Sequence, residues 1–158
     1  MKFSTKKDIE APLADVWAAM ADFDAWERAA MRRGAEVMRT DTQRKPGPGM
    51  QWQARFTYRS KMRTSDIELV ELAEKSALGF KALSPNIQAD ARVELMEMST
   101  KRTRIHVTLD VVPRSLGARL FLQSLRLARA RIDRKFEARV AQLAAEIEQR
   151  YRQNIRKV

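Results

Sequence analysis

The chain has 158 residues, with 31 Lys or Arg against 20 Asp or Glu, and a formal net charge of +11. That length fits one domain with a single sizeable core, and an apolar fraction of 44% excludes wholesale disorder. Zero cysteines and one histidine exclude disulfides, thiolate metal sites, cysteine catalysis and multi-histidine metal sites together. No apolar run approaches the roughly 18 residues of a membrane span, and no signal-peptide pattern opens the chain. A cytoplasmic location is therefore expected, with no metal and no cofactor.

Residues 2–10 read as a strand closed by Ala11-Pro12, with Phe3, Lys7 and Ile9 in one parity. Pro12 suits a helix start, where its missing N–H costs nothing. Leu13, Val16, Trp17 and Met20 follow at helical spacing. Asp24 and Glu27 have the spacing of a capping box for a second short helix, which carries Trp26, Ala30 and Met31 and stops at Gly34.

From Ala35 to Val112 the period changes to that of strands. Residues 36–39 form a weak strand, and residues 45–49 a Pro/Gly-rich loop. Trp52, Ala54, Phe56 and Tyr58 then alternate with polar residues, as a half-buried strand requires. Between Met62 and Glu74 the parity breaks: Ile67 and Leu69 share one face, Val70 and Leu72 the other, which predicts a bulge or two-sided burial. Leu78, Phe80 and Ala82 make a short strand. Two longer alternations follow, Ile87 to Leu95 and Ile105 to Val111. This patterning describes an antiparallel sheet with one dry face and one wet face.

After Pro113, residues 115–156 read as one helix with Ser115 as its N-cap. Its apolar stripe, from Phe121 through Leu125, Phe136 and Val140 to Ile147 and Tyr151, advances about 3.75 residues per step and drifts by about 120°. Such a helix would be roughly 60 Å long, against about 33 Å for a ten-residue strand. It must overhang, bend or pack on a second copy, so a homodimer through Ile147 and Tyr151 is one expectation. The charge is uneven as well: residues 1–113 carry a balance of +3 and residues 114–158 one of +8. A basic helix of this kind is a solvated face or an attractor of phosphate.

The expected architecture is α+β: a curved antiparallel sheet of about seven strands wrapped around a long C-terminal helix, with two short helices between strands 1 and 2. Residues 1–140 would form the domain and residues 141–158 a basic extension of the helix. The opening run Ile9-Glu10-Ala11-Pro12, Val16-Trp17, Asp22 and Trp26, with Gly49-Met50-Gln51-Trp52 at the third strand, resembles the SRPBCC superfamily. These are the START-like or helix-grip proteins, including polyketide cyclase/dehydrase-like members. The resemblance extends from about Lys2 to about Val140. Phe136-Glu137-Ala138-Arg139 is also loosely similar to coenzyme Q-binding START-like proteins. The resemblance implies a hydrophobic-ligand cavity under the long helix and no fixed catalytic set.

The residues expected to line such a cavity are Trp26, Trp52, Phe56, Tyr58, Phe80, Val93, Leu109, Phe121 and Leu125. Aromatic residues on a dry strand face otherwise fill a core. Tyr58 alone offers a hydroxyl that could act as a general acid. His106 sits among Arg104, Thr108 and Asp110 and should face solvent. Glu68, Glu71 and Glu74 read as surface charge, because neighbouring strand positions separate them onto two faces. Met96 and Met98 fall on the polar parity of their strand, where an exposed pair would mark an interface.

These observations favour a non-enzymatic binder or carrier of a lipid, quinone or polyketide-like molecule. The alternatives are a polyketide cyclase/dehydrase-like enzyme using Tyr58, and a nucleic-acid or protein-binding module using Arg126, Arg129, Arg134 and Arg139. Nucleic acid is the weaker of these, since no base-reading motif accompanies the charge.

Overall fold

Strand β1 (Lys2–Ile9) leads into two short helices, α1 (Leu13–Met20) and α2 (Phe23–Arg32). Six strands follow: β2 (Glu36–Arg39), β3 (Gln51–Tyr58), β4 (Lys61–Ala73), β5 (Ala77–Leu83), β6 (Ile87–Ser99) and β7 (Arg102–Pro113). The chain closes with α3 (Leu116–Leu125), a 3-10 turn (Arg126–Ala128) and α4 (Arg129–Arg156). The computed structural model describes residues 1–157.

All seven strands form one antiparallel sheet in the order β1-β7-β6-β5-β4-β3-β2. The first strand pairs with the last, from Lys2 opposite Asp110 to Ile9 opposite Thr103. The α1–α2 excursion carries the chain to the far edge, where β2 pairs β3. The sheet and helices have the expected helix-grip arrangement.

Local chemistry explains the joints. The Pro12 carbonyl accepts from the Asp15 and Val16 amides and opens α1. Gly34, at φ +95°, ends α2 in a conformation that a side chain disfavours. The β3–β4 hairpin turns at Arg59 and Ser60, both at positive φ, as a two-residue hairpin loop demands. The parity break in β4 is a bulge: pairing with β5 shifts between Leu69 and Glu71. Leu69 is thereby buried and Val70 exposed. The bulged strand closes on Gly79, where an added Cβ would sit 3.0 Å from that of Glu71.

The core lies between the concave face and the helices. Ile9, Leu69, Leu78 and Ile105 from the sheet join Val16 and Met20 from α1 and Val140, Ala144 and Ile147 from α4. Burying one such aliphatic chain contributes about 1.5–3 kcal/mol. Thr103, the most buried polar residue, donates its hydroxyl hydrogen to the Ala11 carbonyl at 2.9 Å.

Three details differ from the sequence expectation. The C-terminal helix is not continuous, because the turn at Arg126–Ala128 divides it. That turn lets α3 run beside β7 and α4 beside β1, so two axes do what one drifting stripe could not. Ile147 and Tyr151, which one straight helix would leave overhanging, instead meet the core: Ile147 is buried in it and Tyr151 packs against it. Glu148 and Arg150 tie the far end of α4 to the Glu10 amide (2.8 Å) and to Asp22 (3.1 Å). Finally, the cap of α2 is Asp22, whose side chain accepts from the Ala25 amide at 3.2 Å. Glu27 instead accepts from Trp52 Nε1 at 2.7 Å.

Candidate functional site

The strands put a row of side chains on the concave face: Trp52, Ala54, Phe56 and Tyr58 on β3, Arg63, Ser65 and Ile67 on β4, and Phe80 and Ala82 on β5. Ala89 and Ala91 on β6 and Leu109 on β7 continue it. Small residues at 54, 82, 89 and 91 leave room above the sheet that larger ones would fill. Ala82, Ala89 and Ala91 remain partly exposed, so the helices do not cover that stretch of the sheet completely.

The largest of the clefts described here, about 810 Å³, opens where the β3–β4 hairpin, the β5–β6 turn and the start of α3 converge. Phe56, Tyr58, Met62, Ile87, Ala118 and Phe121 supply apolar surface, and Arg59, Arg63, Thr64, Ser84 and Ser115 supply polar groups. Each wall is anchored. Ser115 caps α3 by accepting from the Ala118 amide at 3.1 Å. Arg114 donates to the Ser84 carbonyl at 2.7 Å, and its amide donates to the Asn86 carbonyl at 2.7 Å, which holds the β5–β6 turn against α3. On the opposite side the Arg59 guanidinium lies over Phe121 and also over Tyr58, and Arg63 approaches the Tyr58 ring at 5.6 Å. A second cleft, of about 600 Å³, lies between α2, β3 and α4 and is bordered by Trp26, Ala30, Thr57 and Glu146. Phe56 borders both clefts.

The structure sorts the nine expected cavity residues into groups. Phe56, Tyr58 and Phe121 meet at the larger cleft, with Tyr58 half exposed at its rim. Trp26 borders the smaller cleft and donates its indole hydrogen to the Met20 carbonyl. Trp52, Phe80 and Val93 belong to the core; Trp52 and Phe80 pack with Phe23 at ring distances of 5.7–6.4 Å. Leu109 stands opposite Phe3 and Ala91 on the concave face, and Leu125 is half-buried at the end of α3. Arg59 and Arg63 were not anticipated. The available signal was Arg63 itself, a charge in the parity that otherwise carries Phe56 and Ile67.

Elsewhere the charged groups serve the scaffold. His106 Nε2 and Ser4 Oγ lie 2.7 Å apart on the outer face. Glu71 accepts from Arg92 at 2.8 Å, which lowers its pKa. Asp41 is held well below the usual carboxylate range, first by its side-chain hydrogen bonds from Arg39 and then by the amides of Gln51 and Gln43. It thereby organises the loop before β3. Among the described residues no cluster of three acidic or histidine side chains is placed to hold a metal ion, and no helix is long and apolar enough to cross a membrane.

The family model for polyketide cyclase/dehydrase and lipid transport matches residues 1–148. The chain belongs to that family. As a family member it also has the fold of solved relatives from distant sources. The Zhui aromatase/cyclase from Streptomyces sp. R1128 is 16% identical, with 95% of this chain and 94% of that chain covered and a TM-score of 0.69. A START superfamily protein from Mycobacterium smegmatis is 13% identical, with 96% and 97% covered and a TM-score of 0.65. Norcoclaurine synthase from Thalictrum flavum is 7% identical, with 94% and 84% covered and a TM-score of 0.65. At such identities the likeness is one of fold. No curated protein matches the chain by sequence.

Proposed function

We propose that this member of the polyketide cyclase/dehydrase and lipid transport family binds and carries a hydrophobic small molecule in the cleft between the hairpin, the β5–β6 turn and α3. The observation that carries this reading is the cleft itself: about 810 Å³, with Phe56, Tyr58, Met62, Ile87 and Phe121 on its walls and two arginines at its rim. Ligand pockets generally span about 300–1,000 Å³, with apolar walls and few polar groups that orient the ligand. The apolar body of a lipid, quinone or polyketide-like molecule fits these walls. Arg59 and Arg63 favour a polar or anionic end at the mouth.

Carriage is favoured over cyclisation by the position of Tyr58. A general acid must place its hydroxyl beside the reacting group, with a partner to tune it. Half of Tyr58 faces solvent, and its ring is flanked by two guanidiniums. The test is mass spectrometry of the organic extract of the purified protein. A lipophilic compound recovered in stoichiometric amount, and lost when Phe121 is replaced by Asp, supports the reading. An empty protein that takes up no lipid, quinone or polyketide when offered them contradicts it.

A further inference from the structure

Helix α3 is apolar on two sides. Its inner side, with Ala118, Phe121, Leu122 and Leu125, faces the sheet and the cleft. Its outer side carries Leu116 and Leu120, at 72% and 60% exposure, and the stripe continues to Leu127 in the following turn, at 96%. At about 100° per residue Leu116 and Leu120 fall within roughly 40° of one another, and Leu127 stands just beyond the end of α3 in the 3-10 turn. Gln123 lies on the same side of α3 as these leucines, and among the described residues nothing covers the leucines. The charges beside it share one sign. Arg114, Arg119, Arg126, Arg129 and Arg131 lie between residues 111 and 132, and no carboxylate does. Across the cleft mouth the hairpin tip adds Arg59, Lys61 and Arg63, again without an acid, beside the exposed Tyr58 and Met62.

We propose that the outer face of α3 and the tip of the β3–β4 hairpin dock on an anionic lipid surface, with the cleft mouth between them facing the bilayer. The leucines supply the part that enters the headgroup layer, and the arginines supply attraction to acidic lipid. Each basic residue brought to such a surface strengthens binding about fivefold. A second copy of the chain is a poorer occupant: Arg129 is held by Asp133, but self-association would still bring the like-charged Arg119 and Arg126 of both copies together. Nucleic acid would answer the charge and leave the leucines in water.

The test is flotation of the full chain with vesicles of phosphatidylcholine alone and of phosphatidylcholine with one part in four phosphatidylglycerol. The expected result is binding to the anionic vesicles that weakens with salt. Leu120→Ser with Leu127→Ser should lower that binding about tenfold or more and leave the melting temperature and the uptake of dissolved lipophilic probes unchanged. Because both leucines are exposed, this variant should fold. Arg119→Gln with Arg126→Gln should weaken binding to anionic vesicles about twentyfold. The proposal is overturned by wild-type protein that ignores both vesicles, or by leucine variants that bind as wild type. It is equally overturned by DNA binding that the arginine variants lose while vesicles are ignored, or by a dimer that the leucine variants dissolve. Probe uptake without vesicle binding would sink this proposal and leave the ligand reading standing.

Discussion

The Arg59 guanidinium lies 5.2 Å from the centre of the Phe121 ring, and this contact joins the tip of the β3–β4 hairpin to α3 across the mouth of the cleft. Arg59 also sits 5.5 Å from the Tyr58 ring centre, so it lies against aromatic faces from both sides of the opening. Such contacts at exposed sites are worth about 0.5–1 kcal/mol each. Arg59→Ala should therefore lower the melting temperature by only a few degrees, roughly 2–4 °C for each 1 kcal/mol lost. Its larger effect should be kinetic: a bound lipophilic probe should leave several-fold faster, as stopped-flow dilution would record.

Trp52 gives a contrasting expectation. Its indole hydrogen bond to Glu27 fixes β3 to α2 from within the aromatic cluster, away from the larger cleft. A hydrogen bond to a charged acceptor contributes about 1.5–3 kcal/mol. Trp52→Phe should lower the melting temperature by about 5–10 °C and leave the affinity for ligand within a factor of about two. Thermal unfolding and probe titration on the same variant separate the two effects.

Asp41 provides a prediction in pH. Its pKa is lowered in the folded protein by Arg39 and by two backbone amides. A group whose folded pKa is depressed contributes stability that is present above its unfolded value, about 3.9, and is lost as pH falls toward the folded value. Asp41→Asn should therefore lower the melting temperature at pH 7. The gap between wild type and variant should narrow as pH falls below about 4. A gap that is constant from pH 7 to 2.5 would contradict the assignment.

Much of the scaffold was legible because each element rests on a local rule. The parity break between Leu69 and Val70 announced the bulge, Ser115 the cap of α3, and Gly34 the end of α2. The break at Arg126–Ala128 was not legible, since these residues all continue a helix well. The decision there is tertiary: α3 and α4 lie along different strands. The cleft was half legible. Aromatic residues on the dry parity of β3 were visible, and Phe56 and Tyr58 do line it. Alternation alone could not separate them from Trp52, which differs in having α2 above it. The convergence of residues 84–87 with residues 115–121 depends on the Arg114 contacts and on strand order, which no short window of sequence contains.

The central claim, a cleft that receives a hydrophobic ligand, is tested most directly at Gly117. This residue lines the cleft in the first turn of α3, and a Cβ built on it meets nothing within 4 Å. Its conformation is helical, so a side chain should relieve rather than strain the backbone, by roughly 0.5–1 kcal/mol. Gly117→Trp should fold with an unchanged or higher melting temperature and fill part of the opening. Uptake of a fluorescent fatty-acid probe, measured by titration on wild type and variant, is the deciding measurement. The account predicts saturable uptake by wild type and a loss of about tenfold or more in the variant. Equal uptake by both proteins would place the ligand elsewhere and contradict it.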